Sequence, residues 1–184
     1  MDRRTTYTKK IIRETFLNLM EEKDISKITV TEICEEADIN RATFYKYYLD
    51  IYDLLEQIED ELYKELEKIL NKSIGNVTLK EVILGIIETI GANKDICKII
   101  LGEHGNKDFL LKILYLVREN CFSIWKKDFE TLYEDDFDYL FTYTANGSIA
   151  LIQFWIKNDC IESNLEITNL ITRLSNKGIN DFKK

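Results

Sequence analysis

Proline is absent from the 184 residues, and glycine occurs only seven times. A many-stranded sheet needs such turn residues at its corners, so their scarcity, beside an abundance of Leu, Ile, Lys and Glu, argues for helices. The fold class expected is all-α. Histidine occurs once, as His104, which leaves no second histidine for a metal pair and no Cys/His arrangement for nucleophilic catalysis. No G-x-x-x-x-G-K-[ST] loop is present to cradle a phosphate. Cys34, Cys97, Cys121 and Cys160 lie far apart without a C-x-x-C pair, each among apolar neighbours, as small buried hydrophobes in a reduced, cytoplasmic setting would be. The basic N-terminus lacks the following apolar stretch of a secretory leader. Together these absences argue against an enzyme and leave no metal or cofactor to expect.

What is present is a 45% hydrophobic chain with a formal charge of −8, long enough for a small head and a larger body. The charge is unevenly placed. Residues 1–50 carry nine Lys/Arg against ten Asp/Glu, and residues 51–184 carry sixteen against twenty-three, so the acidity belongs to the body. Arg3, Arg4, Lys9, Lys10 and Arg13 face Asp2 alone within the first thirteen positions. Any phosphate-facing surface therefore belongs at the N-terminus. The run Tyr139–Ile156 is uncharged over eighteen residues, the length of a candidate membrane span. Its Thr142, Thr144, Asn146, Ser148 and Gln153 are costly in lipid and acceptable in a helix packed against protein, and no membrane role is expected.

Apolar Ile12, Phe16, Leu19 and Met20 share one helical face, predicting a first helix over about 6–22. Thr29 and Glu32 form a capping-box pattern that opens a short helix ending near Ala37. Asp38-Ile39-Asn40 is a tight turn, with Asn40 an N-cap for a second short helix over 41–47. Two short helices about a three-residue turn make a helix-turn-helix. Beyond Asp50, the stripe Leu54, Leu55, Ile58, Leu62, Leu66 and Ile69 predicts a longer helix to near Ser73. Further starts lie at Thr78 and Ser163, each with Glu three residues on, while Gly102 and Gly105 bracket a loop before a helix over about 107–129. The last two helices are predicted over 136–158 and 164–176. The expected domains are 1–50 and 51–184.

In a helix-turn-helix the N-terminal half of the second helix reads bases. Arg41 suits guanine O6 and N7, Thr43 a base edge or a thymine methyl, and Ala42 allows close approach. Lys46, Tyr45 and Tyr47, with Thr29 and Thr31 at the positive end of the preceding helix, carry donors suited to phosphates. Each has a plainer role open to it: Arg41 and Lys46 as solvated charges, the tyrosines as core, Thr29 as a cap alone. Phe44 and Tyr48 are assigned to the core.

The stretch ITVTEICEEADINRATFYKYY, Ile28 to Tyr48, resembles the DNA-binding signature of the TetR family of bacterial regulators. The features that align are Thr29-Val30, buried Ile33 and Ala37, the Ile39-Asn40 turn, Thr43-Phe44-Tyr45 and Tyr47-Tyr48. With its flanking helices the likeness covers about residues 6–70, and it implies a DNA role for Arg41, Thr43, Tyr45 and Tyr47. Two departures reduce the positive charge of that face: Asp38 stands where a glycine is usual, and Ile51 where a phosphate-reaching lysine is usual. Ile100–Phe109 and Gly147–Ile161 resemble the regulatory domain of a Firmicutes-type branch, whose last two helices pair with their copies across a two-fold axis. The resemblance implies a homodimer on a palindromic operator in double-stranded DNA, acting as a repressor released by a small-molecule effector. The uncharged Tyr139–Ile156 helix is buried either in that dimer or within one subunit. Tyr115, Phe122, Trp125, Phe129, Tyr139, Tyr143 and Phe154 are pocket candidates, with core packing as their alternative, and His104 is expected as a solvated loop residue. An interaction protein that touches another regulator instead of DNA is the competing function, motivated by the acidity, Asp38 and Ile51.

Overall fold

The computed structural model describes residues 3–72, 78–102, 105–128 and 134–180, and none of these lies in a strand. The helices are α1 (Arg3–Glu22), α2 (Val30–Glu36), α3 (Arg41–Tyr45), α4 (Ile51–Lys72), α5 (Leu79–Ala92), α6 (Lys94–Ile100), α7 (Lys107–Asp128), α8 (Glu134–Lys157) and α9 (Asn164–Asn180). Local chemistry sets most of their starts. Thr78 accepts from the Glu81 N–H while the Glu81 carboxylate accepts from Thr78 N at 2.7 Å, and Ser163 and Glu166 repeat the exchange. Thr29 makes only half of the expected box: its hydroxyl caps Glu32 N at 3.2 Å, but the Glu32 carboxylate is ion-paired with Lys23 of the preceding segment. The sequence shows no break after Thr78, yet the chain divides α5 from α6 at Asn93, whose amide donates to Thr89 O and to Glu65 of α4.

One apolar core runs from Ile12, Phe16 and Met20 in α1, through Phe44 and Leu54, to Trp155 and Ile171. The α4 stripe explains this continuity: Leu54, Ile58, Leu62 and Leu66 are buried in series along the helix, with Leu55 packing at its edge. Head and body are also joined by Lys98 of α6, which donates to Glu21 of α1 at 2.6 Å. A second cluster forms where α7 meets α8, with Phe137 edge-on to Phe122 and Trp125 and stacked with Phe141.

The uncharged stretch of α8 is two-faced. Ile152, Trp155 and Ile156 are buried, whereas Tyr139, Tyr143 and Phe154 stand 80%, 76% and 66% exposed. The hydroxyls of Thr144 and Ser148 donate to carbonyls of their own helix. Among the described residues no helix is long and apolar enough to cross a membrane.

Candidate nucleic-acid interface and core cavity

α2 ends in a turn that fixes the angle of α3. Ala37 N donates to Ile33 O at 2.9 Å and Ile39 N reaches back to Cys34 O at 3.0 Å, which requires Asp38 to adopt φ +50°. Aspartate tolerates this left-handed conformation better than most residues with a side chain, so the turn survives where glycine is usual. Asn40 then caps α3, its Oδ1 accepting from both the N–H and the hydroxyl of Thr43, at 2.8 and 2.9 Å. The Thr43 proton is thereby engaged, so toward a further partner this hydroxyl can act only as an acceptor.

Arg41 and Ala42 are exposed at the start of α3. The Arg41 guanidinium lies over the Tyr45 ring and donates to its hydroxyl at 3.4 Å, an exposed contact that is readily exchanged for a better acceptor. Phe44 and Tyr48 are buried, as their spacing predicts. Tyr47 is half-buried, and the ammonium of Lys46 stands 5.4 Å from its ring centroid. Lys9 of α1 also approaches it, 5.6 Å from the Tyr47 ring and 5.7 Å from that of Tyr48. This meeting of α1 with the turn that follows α3 is invisible to sequence spacing, although the basic N-terminus is its trace. Thr31 is exposed and Thr29 exposed as a cap.

The five N-terminal cations do not serve alike. Arg13 pairs with Glu61 of α4, and Lys10 lies 3.6 Å from Glu14. Lys9 and the exposed Arg3 remain nearest to a phosphate-facing role. On the acidic side, Asp50 accepts from the N–H groups of Tyr52 and Asp53 at 2.8 and 2.9 Å, and Asp53 accepts from Leu49 N at 2.8 Å. Both carboxylates thus neutralise orphan donors at the start of α4. Ile51 is buried in the head core, so this position fixes α4 and reaches no phosphate.

A cavity of about 160 Å³ lies in the body, walled by α4 to α9. Its lining is mainly Leu and Ile, including Leu62 and Leu66 of α4 and Ile87, Ile100, Ile113 and Ile152 from four further helices. Of the six aromatic pocket candidates among the described residues, Trp125 alone is in this wall. Tyr115, Tyr139, Tyr143 and Phe154 are exposed, Phe122 packs on Phe137, and Phe129 lies outside the described residues. Aromatic bulk made those residues conspicuous, but their positions on α7 and α8 turn them outward or into the small aromatic cluster. His104 also lies outside the described residues. The cavity's thiols, Cys97 and Cys121, are pushed up to about 12 by burial and stay neutral.

Residues 12–58 match the sequence profile described as bacterial regulatory proteins of the tetR family, and residues 77–177 match one described as a transcriptional regulator C-terminal region. A stretch of 59 residues is 34% identical to the uncharacterized HTH-type transcriptional regulator YxbF of Bacillus subtilis (strain 168), spanning 32% of this chain and 16% of that protein. Among solved structures, the dihydroxyacetone kinase operon activator DhaS superimposes with a TM-score of 0.61 at 21% identity, over 96% of this chain and 98% of that one. Thermus thermophilus FadR, a repressor solved in complex with lauroyl-CoA, gives 0.58 at 16% identity, over 93% and 94%. At such identity the two structures share the fold alone.

Proposed function

Because this chain belongs to the TetR family of transcriptional regulators, we propose that it is a homodimeric repressor that binds a palindromic operator and is released by a small molecule. The observation that carries this reading is the recognition helix itself: Arg41, Ala42 and Thr43 are presented at the N-terminal end of α3, with Lys9, Lys46 and Tyr47 clustered at the other. Arg41 and Thr43 read base edges in the major groove, Ala42 permits close approach, and Lys46, Tyr45, Tyr47, Thr29 and Thr31 position the backbone.

The dimer is supported by the outer face of α8. Tyr139, Tyr143, Gly147, Ala150 and Phe154 fall on one exposed stripe, large at both ends and small in the middle, where a copy related by a two-fold axis can approach closely. Residues 1–50 serve as the DNA-binding head and 51–184 as the effector and dimer body, with α4 passing between them. Its head end is capped onto the helix-turn-helix, and its Leu62 and Leu66 wall the cavity, so an occupant can shift the spacing of the two heads. The four free cysteines suit work in the reducing cytoplasm.

The test is a gel shift on the intergenic DNA beside its own gene at two salt concentrations. Arg41→Ala should cost roughly 1–3 kcal/mol at one base pair per half-site, and Lys46→Ala should weaken all sequences alike. Equal losses on every sequence from both changes would contradict this division of roles. Asp38 and the net acidity favour a second reading, contact with another regulator rather than DNA. A shift that weakens steeply with salt rejects it, because phosphate contacts release counterions.

A further inference from the structure

The body cavity is selective in three respects, and they converge on one kind of occupant. The first is bulk. At about 160 Å³ it matches the scale of a protein cavity of about 150 Å³ that stays dry and takes up benzene. The second is charge. Among the described residues its wall contains no Lys, Arg, His, Asp or Glu, so an ion entering it would lose its hydration with no countercharge in return.

The third is hydrogen bonding. The buried hydroxyls of Thr89 and Thr168 and the half-buried ones of Thr144 and Ser148 are satisfied by the carbonyl four residues back: Thr89 donates to Gly85 O, Thr144 to Leu140 O, Ser148 to Thr144 O and Thr168 to Asn164 O, at 2.7 to 2.9 Å. Ser175 of α9 breaks the pattern. It is 8% exposed and lines the cavity, and its hydroxyl bonds to none of the described residues, unlike those of Thr144 and Ser148 in the same wall. The residue is buried but its oxygen is not sealed off, so a polar group that enters the cavity can bond to it.

We infer that the cavity takes a small, uncharged molecule of about one aromatic ring in bulk, hydrocarbon over most of its surface, with a single hydroxyl or carbonyl that Ser175 meets. The inference deepens the effector reading above and rests on it for its regulatory meaning. Ligand class is set by Ser175 and by the absence of charge, while Leu62 and Leu66 carry the occupant's presence to α4.

Calorimetric titration of the full chain with benzyl alcohol, toluene and sodium benzoate at neutral pH tests it. Benzyl alcohol and toluene are expected to bind, with benzoate at least about tenfold weaker. Ser175→Ala should weaken benzyl alcohol by about threefold to tenfold and leave toluene unchanged, the loss expected of one hydrogen bond. Ala145→Leu, which adds bulk to the wall, should weaken both. Benzoate binding as tightly as benzyl alcohol, failure of both neutral probes to bind, or equal effects of Ser175→Ala on the two would each overturn the inference. Operator release is scored separately by gel shift. Benzyl alcohol that binds through Ser175 without moving that shift supports the ligand class and rejects the effector role.

Discussion

Among the described residues, Glu59 is the one whose surroundings are least suited to its charge. It sits on α4 at 7% exposure, with one carboxylate oxygen accepting from Asn106 at 3.2 Å and the other buried without a partner. Burial pushes its carboxyl from 4.5 up to about 7, against the opposing pull of Asn106 and Lys112, with Asp60 and Glu56 adding to the rise. The unfolded chain therefore loses this proton at lower pH than the fold does. The stability linked to Glu59 is complete below pH 4.5, declines as pH rises and is gone above about 7. The full difference is on the order of 3 kcal/mol. Glu59→Gln removes that slope, so urea titrations should find the variant more stable than the parent at pH 8 and the gap closing toward pH 5. A gap independent of pH would show that packing, not ionisation, sets the cost. The interface residues differ in how far their neighbours specify them: Thr43 is fixed by Asn40 three positions away, whereas Lys9 acquires its place beside Tyr47 only when α1 packs near the turn after α3.

At the scale of elements, junctions matter more than helix interiors. The α6–α7 connection has no room at Gly105, where an added Cβ would stand 2.0 Å from Ile100 O. That carbonyl belongs to the end of α6, so the clash cannot be relieved by a side-chain rotation. Gly105→Ala should lower unfolding stability by about 1–3 kcal/mol, measured in urea, and it should loosen the cavity wall that Ile100 and Leu101 contribute. A neutral result would mean that the loop has a second conformation available. The break at Asn93 is of the same kind. Its amide bonds to Glu65, twenty-eight positions away, and no pattern within α5 announces it.

For the whole molecule, the decisive surface is the α8 stripe. A Cβ added at Gly147 meets nothing within 4 Å in the single chain, so Gly147→Glu should leave each subunit at least as stable, given the low helix propensity of glycine. In the proposed dimer the same change puts a charge against its own copy at the two-fold axis. Sedimentation should find Gly147→Glu monomeric with its helicity intact and its operator binding lost, because one head reads only one half-site. A variant that stays dimeric would move the interface off this face.

The sequence by itself determined most of the helices, the caps at Asn40, Thr78 and Ser163, and the helix-turn-helix, whereas the break at Asn93 and the half-formed box at Thr29 follow from partners outside those helices. The former features depend on bonds and periodicities within about four residues, as at Asn40, Thr78 and Ser163. It also determined the family, through residues fixed by that local geometry. Tertiary structure alone decided which apolar side chains turn outward, why Arg13 is taken up by Glu61, and that aliphatic residues and Ser175, with Trp125 the one aromatic candidate among them, wall the cavity. A cavity is the space six helices fail to fill, and that remainder depends on volumes and angles summed over segments far apart in the chain.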